Sequence, residues 1–284
     1  MESFFKFFGN GSAFNVKEGN TSALYLEPAE FSKKYNALLI DCGSDVFGKI
    51  VDHLKDFKTL TILLTHLHQD HMGSVSTLLE YINAVYPKMK VILYCFSTLD
   101  TKKSDVMKIL TLRDFGRNSN IIIRHTRLSE FRECNYMTQL NFFKNISFCP
   151  IQADHAVQFM NTDSTIYTIS TGKRYEEESI RAFSFLFEIK LDNKYMRIFY
   201  SGDTKSIGES ARHYMCTSDL IYIDSAVRTG FNGNDGYPHM NIYETFKICK
   251  EYGIDPNKVF MIHLDCDGVK DLGEALGFRI PPRI

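Results

Sequence analysis

Apolar residues along the chain fall into short runs broken by Gly, Asn and Ser. FFKFFGNGSAFNVKEGNTSALYLEP, NALLIDCGS and LTILLTHLHQDH read as strands joined by tight turns. The spacing then changes: SVSTLLEYINAVY places its apolar residues on one helical face, and VILYCF at residues 91–96 is a buried strand. A strand-helix alternation has begun. Further strands are predicted in ISFCPIQADHA, SFLFEIKL, YMRIFYSGD and SDLIYIDSAV, a helix in YETFKICKEYG, and a last strand in KVFMIHLD.

Two stretches interrupt this rhythm. Residues 101–145 carry nine Lys or Arg against four acids, and a solvated helix face is the expectation. Residues 161–179, a polar segment, read as a long loop or inserted hairpin. No low-complexity tract or linker marks a boundary, so the 284 residues are expected to form one α/β domain.

Composition narrows the options. With 23 Phe, 15 Tyr and no Trp, a large aromatic core is available. A net charge of −1 offers no general attraction for a polyanion, so a small anionic substrate is easier to accommodate than a long nucleic acid. Seven Cys without a CxxC pair argue against a disulfide framework or a structural zinc knot. The N-terminus does not read as a signal segment, and no apolar run reaches the length of a membrane span. A cytoplasmic protein without membrane association is expected.

The chemistry concentrates at His66-Leu67-His68-Gln69-Asp70-His71. On extended backbone His66 and His68 point the same way and can grip one cation, while Asp70 and His71 fall beyond them and can address a second. Such clustering directly after the apolar run TILLT is a strong signal. HLHQDHMG resembles the HxHxDH signature of metallo-β-lactamase-fold hydrolases. The resemblance implies three further ligands: His155 in ADHA for the first metal, His263 in MIHL for the second, and Asp203 in SGDT as the bridge. A carboxylate suits the bridge because it can span two cations and offset their repulsion. His53, His125 and His213 lack comparable context and receive no role.

From about Gly9 to His263 the chain is similar to the phosphodiesterase branch that contains ribonuclease Z, through GSAFN, GNTSALY, LLIDCG, SGDT and DLIYIDSAV. The likeness implies a four-layer αβ/βα sandwich and two divalent metal ions, expected to be zinc, with manganese the alternative for both. It also implies a proton donor outside the metal shell. His239 in YPHMN stands at that position, with Asp224 in IDS as its orienting acid. In this reading the metals activate water, Asp70 can help orient it, and His239 protonates the leaving oxygen.

Departures from ribonuclease Z bear on substrate. Ser44-Asp45-Val46-Phe47 replaces that branch's Glu-Gly-Thr-Gln pattern, HMN replaces its HST turn, and no basic arm for tRNA is recognisable. GSAFN, GNTSA, LLIDCGS and VF resemble the anti-Pycsar phosphodiesterases, which open cyclic nucleotides used as immune signals. That likeness implies a small nucleotide substrate, ring opening of 3′,5′-cyclic nucleotides, and a homodimer in which a loop of one subunit nears the other's active site. Residues 161–179, with Tyr167, Lys173, Arg174 and Tyr175, are the candidate loop. The alternatives are a ribonuclease Z-like tRNA 3′-processing endonuclease, a lactonase or β-lactamase-like hydrolase, and a protein that only sequesters a nucleotide.

Overall fold

The computed structural model describes residues 2–13, 15–29, 32–97, 110, 120–127, 137–156, 181–192, 194–225, 239–264 and 267–284. Strands β1 (Lys6–Gly9), β2 (Ser22–Pro28), β3 (Tyr35–Ile40), β4 (Phe57–Leu63), β5 (Lys90–Ser97) and β6 (Ile121–Arg127) form one sheet in that order. The second sheet holds β7 (Thr138–Gln139), β8 (Ile146–Ala156), β9 (Arg181–Leu191), β10 (Lys194–Tyr200), β11 (Leu220–Asp224) and β12 (Val259–Ile262), ordered β12-β11-β10-β9-β8-β7. Both sheets are mixed: β3 through β6 run parallel, as do β10 through β12, and the remaining pairs are antiparallel.

Alternation along the strands decides which side chains meet. In β9 the residues Phe183, Phe185, Phe187 and Ile189 face inward; in β10 Ile198 and Tyr200, in β11 Leu220 and Tyr222, and in β12 Phe260 and Ile262 do the same. They meet Leu38, Ile40, Leu63, Ile92, Tyr94 and Phe96 of the first sheet in one aromatic-rich core. The intervening residues point outward. Leu60 and Ile62 pack under α1 (Val46–Ile50) and α3 (Val75–Val85), and Ile221, Ile223 and Met261 pack under α4 (Glu209–Cys216), α5 (Ile242–Tyr252) and α6 (Asp267–Ala275). The result is the four-layer αβ/βα sandwich of the expected class.

Among the described residues, the basic segment departs from the sequence reading. Residues 121–127, inside the basic segment expected as helix, form the edge strand β6 paired parallel to β5. The run IIIRHTR explains it: three successive β-branched residues favour extended backbone, and Ile121 and Ile123 turn toward the core while Ile122 is half exposed. Residues 161–179 lie outside the described residues.

Behind the first sheet's parallel strands, chain segments cross closely. A Cβ placed on Gly43 would fall against the carbonyl oxygen of Asp70 and 2.5 Å from the Asn20 Cβ. Only glycine lets the turn after β3 pass under the Asp70 segment, α2 (Gln69–Met72). Gly43→Ala should therefore cost about 1–3 kcal/mol and displace Asp70. Gly48→Ala, on the exposed side of α1 with nothing within 4 Å of the added Cβ, should be neutral or slightly stabilising. Chemical unfolding of the two variants would check the contrast, and equal stabilities would refute the close-packing argument.

Candidate metal centre

Every residue that the sequence analysis singled out for the metals lies at one end of the sandwich, where strands of both sheets finish. His66 and His68 follow β4, His68 on extended backbone, and Asp70 and His71 sit in the short helix α2 that comes next. His155 is at the end of β8, Asp203 follows β10, Asp224 ends β11 and His263 follows β12. His239 precedes α5, whose Asn241 caps the helix by accepting from the Tyr243 N–H at 2.9 Å.

The side chains fall into three overlapping groups. His66, His68, His155 and Asp203 form the first, and Asp70, His71, Asp203 and His263 the second. In the first, His66 Nε2 and His68 Nδ1 are 2.9 Å apart and His155 Nε2 is 3.2 Å from His68 Nδ1. In the second, His71 Nε2 lies 3.2 Å from Asp203 Oδ1, and His263 Nε2 lies 3.2 Å from Asp70 Oδ2 and 3.4 Å from Asp203 Oδ2. Asp203 belongs to both. The third group joins Asp203, Asp224, His239 and His263: His239 Nδ1 is 2.9 Å from Asp224 Oδ2 and 3.7 Å from Asp203 Oδ2.

These donors fit divalent cations. Ligands bonded at 2.0–2.1 Å in a tetrahedron stand about 3.3 Å apart, the spacing seen among the first group's nitrogens. Three imidazole nitrogens converging on one point cannot all be satisfied by hydrogen bonds to one another. In the second group, buried His71 Nε2 has no well-aligned hydrogen bond, though carboxylate oxygens of Asp203 and Asp70 lie 3.2 and 3.4 Å from it. A shared cation satisfies both arrangements.

Electrostatics keeps His66, His68, Asp70 and Asp203 ready to ligate. Burial, with neighbouring His71 and His155 adding to it, holds His66 well below its ordinary value, and burial with His155 lowers His68 to about 4. Both remain neutral, with lone pairs available. Burial alone would raise Asp70 and Asp203, but the facing histidines, His71 foremost for Asp70 and His263 for Asp203, hold both carboxylates ionised well below the usual range. His71 moves the other way: burial opposes its charge, yet Asp203, Asp70 and Asp41 outweigh it and raise the imidazole.

Asp41, fully buried after β3, escaped the sequence reading. Its Oδ2 accepts from the Thr65 hydroxyl at 2.7 Å and lies 2.8 Å from His71 Nδ1, and its Oδ1 accepts from the Thr65 N–H at 2.7 Å. The pairing turns His71 Nε2 toward Asp70 and Asp203, and Thr65 Oγ1 at 3.0 Å from His66 Nδ1 does the same for His66. Asp41 has φ 62° and His263 φ 59°, backbone that ordinary side chains avoid. A visible signal was the lone acid closing the apolar run ALLIDC. On the other side, Gly202 takes φ 57° in the loop carrying Asp203, where a Cβ would fall 2.9 Å from the Phe183 carbonyl oxygen.

Two outcomes follow from this geometry. Asp41→Asn removes the negative charge behind His71 and should weaken divalent-metal binding about 10–100-fold while leaving the fold intact, as titration of metal into apo-protein would show. The second concerns pH. His68 is held below its unfolded value, so on acidification the unfolded chain takes up the proton first and the folded state resists until about pH 4. Metal-free protein should thus lose about 1.4 kcal/mol of stability per pH unit for His68 alone as pH falls from about 6.5 toward 4. A flat stability profile across that window in chelator would remove the electrostatic account.

Comparison with known proteins agrees with this architecture. The family model described as anti-Pycsar protein Apyc1 matches residues 4–244. An anti-Pycsar protein Apyc1 of Bacillus phage 010DV004 is 39% identical over 284 residues, spanning 95% of this chain and 91% of the relative. Among solved structures, the metallo-β-lactamase-fold protein YhfI from Bacillus subtilis superposes with TM-score 0.64 at 15% identity, covering 96% of this chain and 91% of YhfI. The short form of human tRNase Z gives 0.61 at 14% identity over 92% of each chain. Those two likenesses establish the fold, and the phage relative with the family match establishes more: this chain belongs to the anti-Pycsar protein Apyc1 family.

Proposed function

We propose that the chain is a metal-dependent phosphodiesterase that opens 3′,5′-cyclic nucleotides to mononucleotides and so opposes cyclic-nucleotide immune signalling. The observation that carries this reading is the His239–Asp224 pair beside the shared Asp203. A metal cluster alone suits several hydrolyses. A histidine held by a buried carboxylate next to that cluster suits one whose leaving group is an alkoxide, which must be protonated as it departs. The family membership, through its name, points to the same target.

In this mechanism His66, His68 and His155 would hold one cation and Asp70, His71 and His263 a second, with Asp203 belonging to both groups. Bound there, the cations would activate water and offset the charge gathering on the phosphoryl oxygens. The chain's own contribution is positional and protic. Asp224 engages His239 Nδ1 and itself accepts from the Thr204 N–H at 2.9 Å, so neither group can swing away. In this reading His239 Nε2 is the nitrogen that meets the substrate. As water adds to phosphorus and the P–O3′ bond breaks, the Nε2 proton passes to O3′, and the Asp224 carboxylate favours the charged imidazolium from which it leaves. Side-chain exposure of 13% for His239 against none for Asp224 matches a donor that meets substrate and a partner that does not.

His239→Ala should keep its metal content yet lose turnover of cyclic nucleotides about 10²–10⁴-fold, the usual contribution of a general acid. With bis-p-nitrophenyl phosphate, whose leaving group needs no proton, the loss should largely vanish; equal losses on both substrates would assign His239 a structural role. For substrate, metal-loaded protein is incubated with cyclic mononucleotides, cyclic dinucleotides and precursor tRNA, and products are resolved by chromatography. Mononucleotides from the first class are expected. Efficient tRNA cleavage with negligible turnover of every cyclic nucleotide would falsify the proposal in favour of an endonuclease.

A further inference from the structure

At the opposite end of the sandwich the inner face changes character. Tyr25, Leu38, Thr61 and Ile92 form one cross-strand row over β2 to β5, and the next inward-facing row toward that end is Glu27, Asn36, Thr59 and Lys90. Apolar packing thus gives way, within one pleat, to a hydrogen-bonded polar row: Thr59 Oγ1 donates to Asn36 Oδ1 at 2.9 Å, and Asn36 Nδ2 donates to Glu27 Oε2 at 3.3 Å. Above it opens a cavity of about 530 Å³, lined on the far side by Phe142, Lys144 and Asn145 of the connection between β7 and β8 and bordered by Lys58 and Lys88. This volume lies within the range of small-molecule sites.

Charge is what makes the cavity informative. Among the described residues, four ammonium groups, Lys58, Lys88, Lys90 and Lys144, line it beside one carboxylate, Glu27, which accepts from Asn36. A chain with net charge −1 has no general excess of cations to distribute. Like charges gathered round one concavity raise its potential and attract a compact anion. The metal centre is roughly 25 Å away, at about 3.3 Å per residue along β4, so the cavity belongs to neither the cations nor the His239 pair. Lysine ammonium groups act as point charges for phosphate, Phe142 supplies an apolar face for a flat ring, and the Asn145 amide offers both donor and acceptor.

The geometry points to a second ligand site, for a mononucleotide, at this remote end, with phosphate among the lysines and the base against Phe142. Lys58 also borders the neighbouring groove with Lys34, Tyr86 and Lys88, which extends the positive surface along the phosphate side.

Calorimetric titration of the metal-loaded protein with adenosine 5′-monophosphate tests the site. Two equivalents should bind the native chain and one the Lys88→Glu/Lys144→Glu variant, with hydrolysis at the metal centre unchanged in that variant. Lys88→Gln/Lys144→Gln should give the same loss more weakly and covers a charge reversal that disturbs folding. Phe142→Ala should weaken nucleotide about tenfold but leave inorganic pyrophosphate unaffected. A stoichiometry untouched by the lysine changes would overturn the site. So would tight binding of an RNA oligomer with none of the mononucleotide, which would make the cavity part of a polyanion surface.

Discussion

The metal centre exists only because two sheets are clamped face to face. Its residues are divided between them: His66, His68, Asp70 and His71 come from the first sheet's side, and His155, Asp203, Asp224 and His263 from the second's. No single supersecondary unit could assemble both groups. The clamp is the slab of Phe and Tyr between the sheets, with Phe148, Phe185, Phe187, Tyr200 and Tyr222 essentially inaccessible to water. Each such side chain contributes about 1.5–3 kcal/mol when fully buried, an upper estimate since the unfolded chain already hides part of its surface. Packed interiors deform little, so strand ends on opposite sheets are held in the sub-ångström register that metal ligation demands.

Against that rigidity stands an electrostatic cost. Asp41, Asp203 and Asp224 are almost wholly removed from water beside His66, His71 and His263, also buried. Burying so many ionisable groups is unfavourable unless charges are paired and hydrogen-bonded. Each is accounted for: Asp41 by Thr65 and His71, Asp224 by Thr204 and His239, Asp203 by the histidines around it. The nitrogens left over, above all His71 Nε2, point inward to the cluster. Divalent cations would convert this cost into binding energy, and loss of any supporting carboxylate would leave a buried imidazole without its partner.

The parts legible in the sequence were those with a local pattern. HLHQDH declares itself because four ligands lie in one turn after a buried strand, and the period-2 strands announced both sheets. His155, Asp203 and His263 needed a family resemblance, since each is a lone residue at a strand end with no local signal. Asp41 shows the limit from the other side. Its residue type and position were visible in LLIDCG, but its partner His71 is thirty places away, and only the parallel pairing of β3 with β4 brings Thr65 and the histidine loop across it. Strand β6 is obscured in the sequence for a different reason: basic residues surround the β-branched triplet Ile121–Ile123, and edge strands tolerate charge because one side is open.

The same pairing explains why the two ends of the sandwich differ so sharply. Parallel strands β3 to β5 all start at one end and finish at the other, so loops at their finishing end converge and can hold catalytic groups, as α/β folds generally arrange. At the starting end no chemistry constrains the residues, and the default would be an apolar seal over Tyr25 and Leu38. Instead β2 to β5 present Glu27, Asn36, Thr59 and Lys90. A polar row in that position gives up apolar burial, and the hydrogen bonds linking its first three members recover only part of it. Stability alone does not call for such a row, whereas a concave, lysine-lined recess is what the proposed anion site would require.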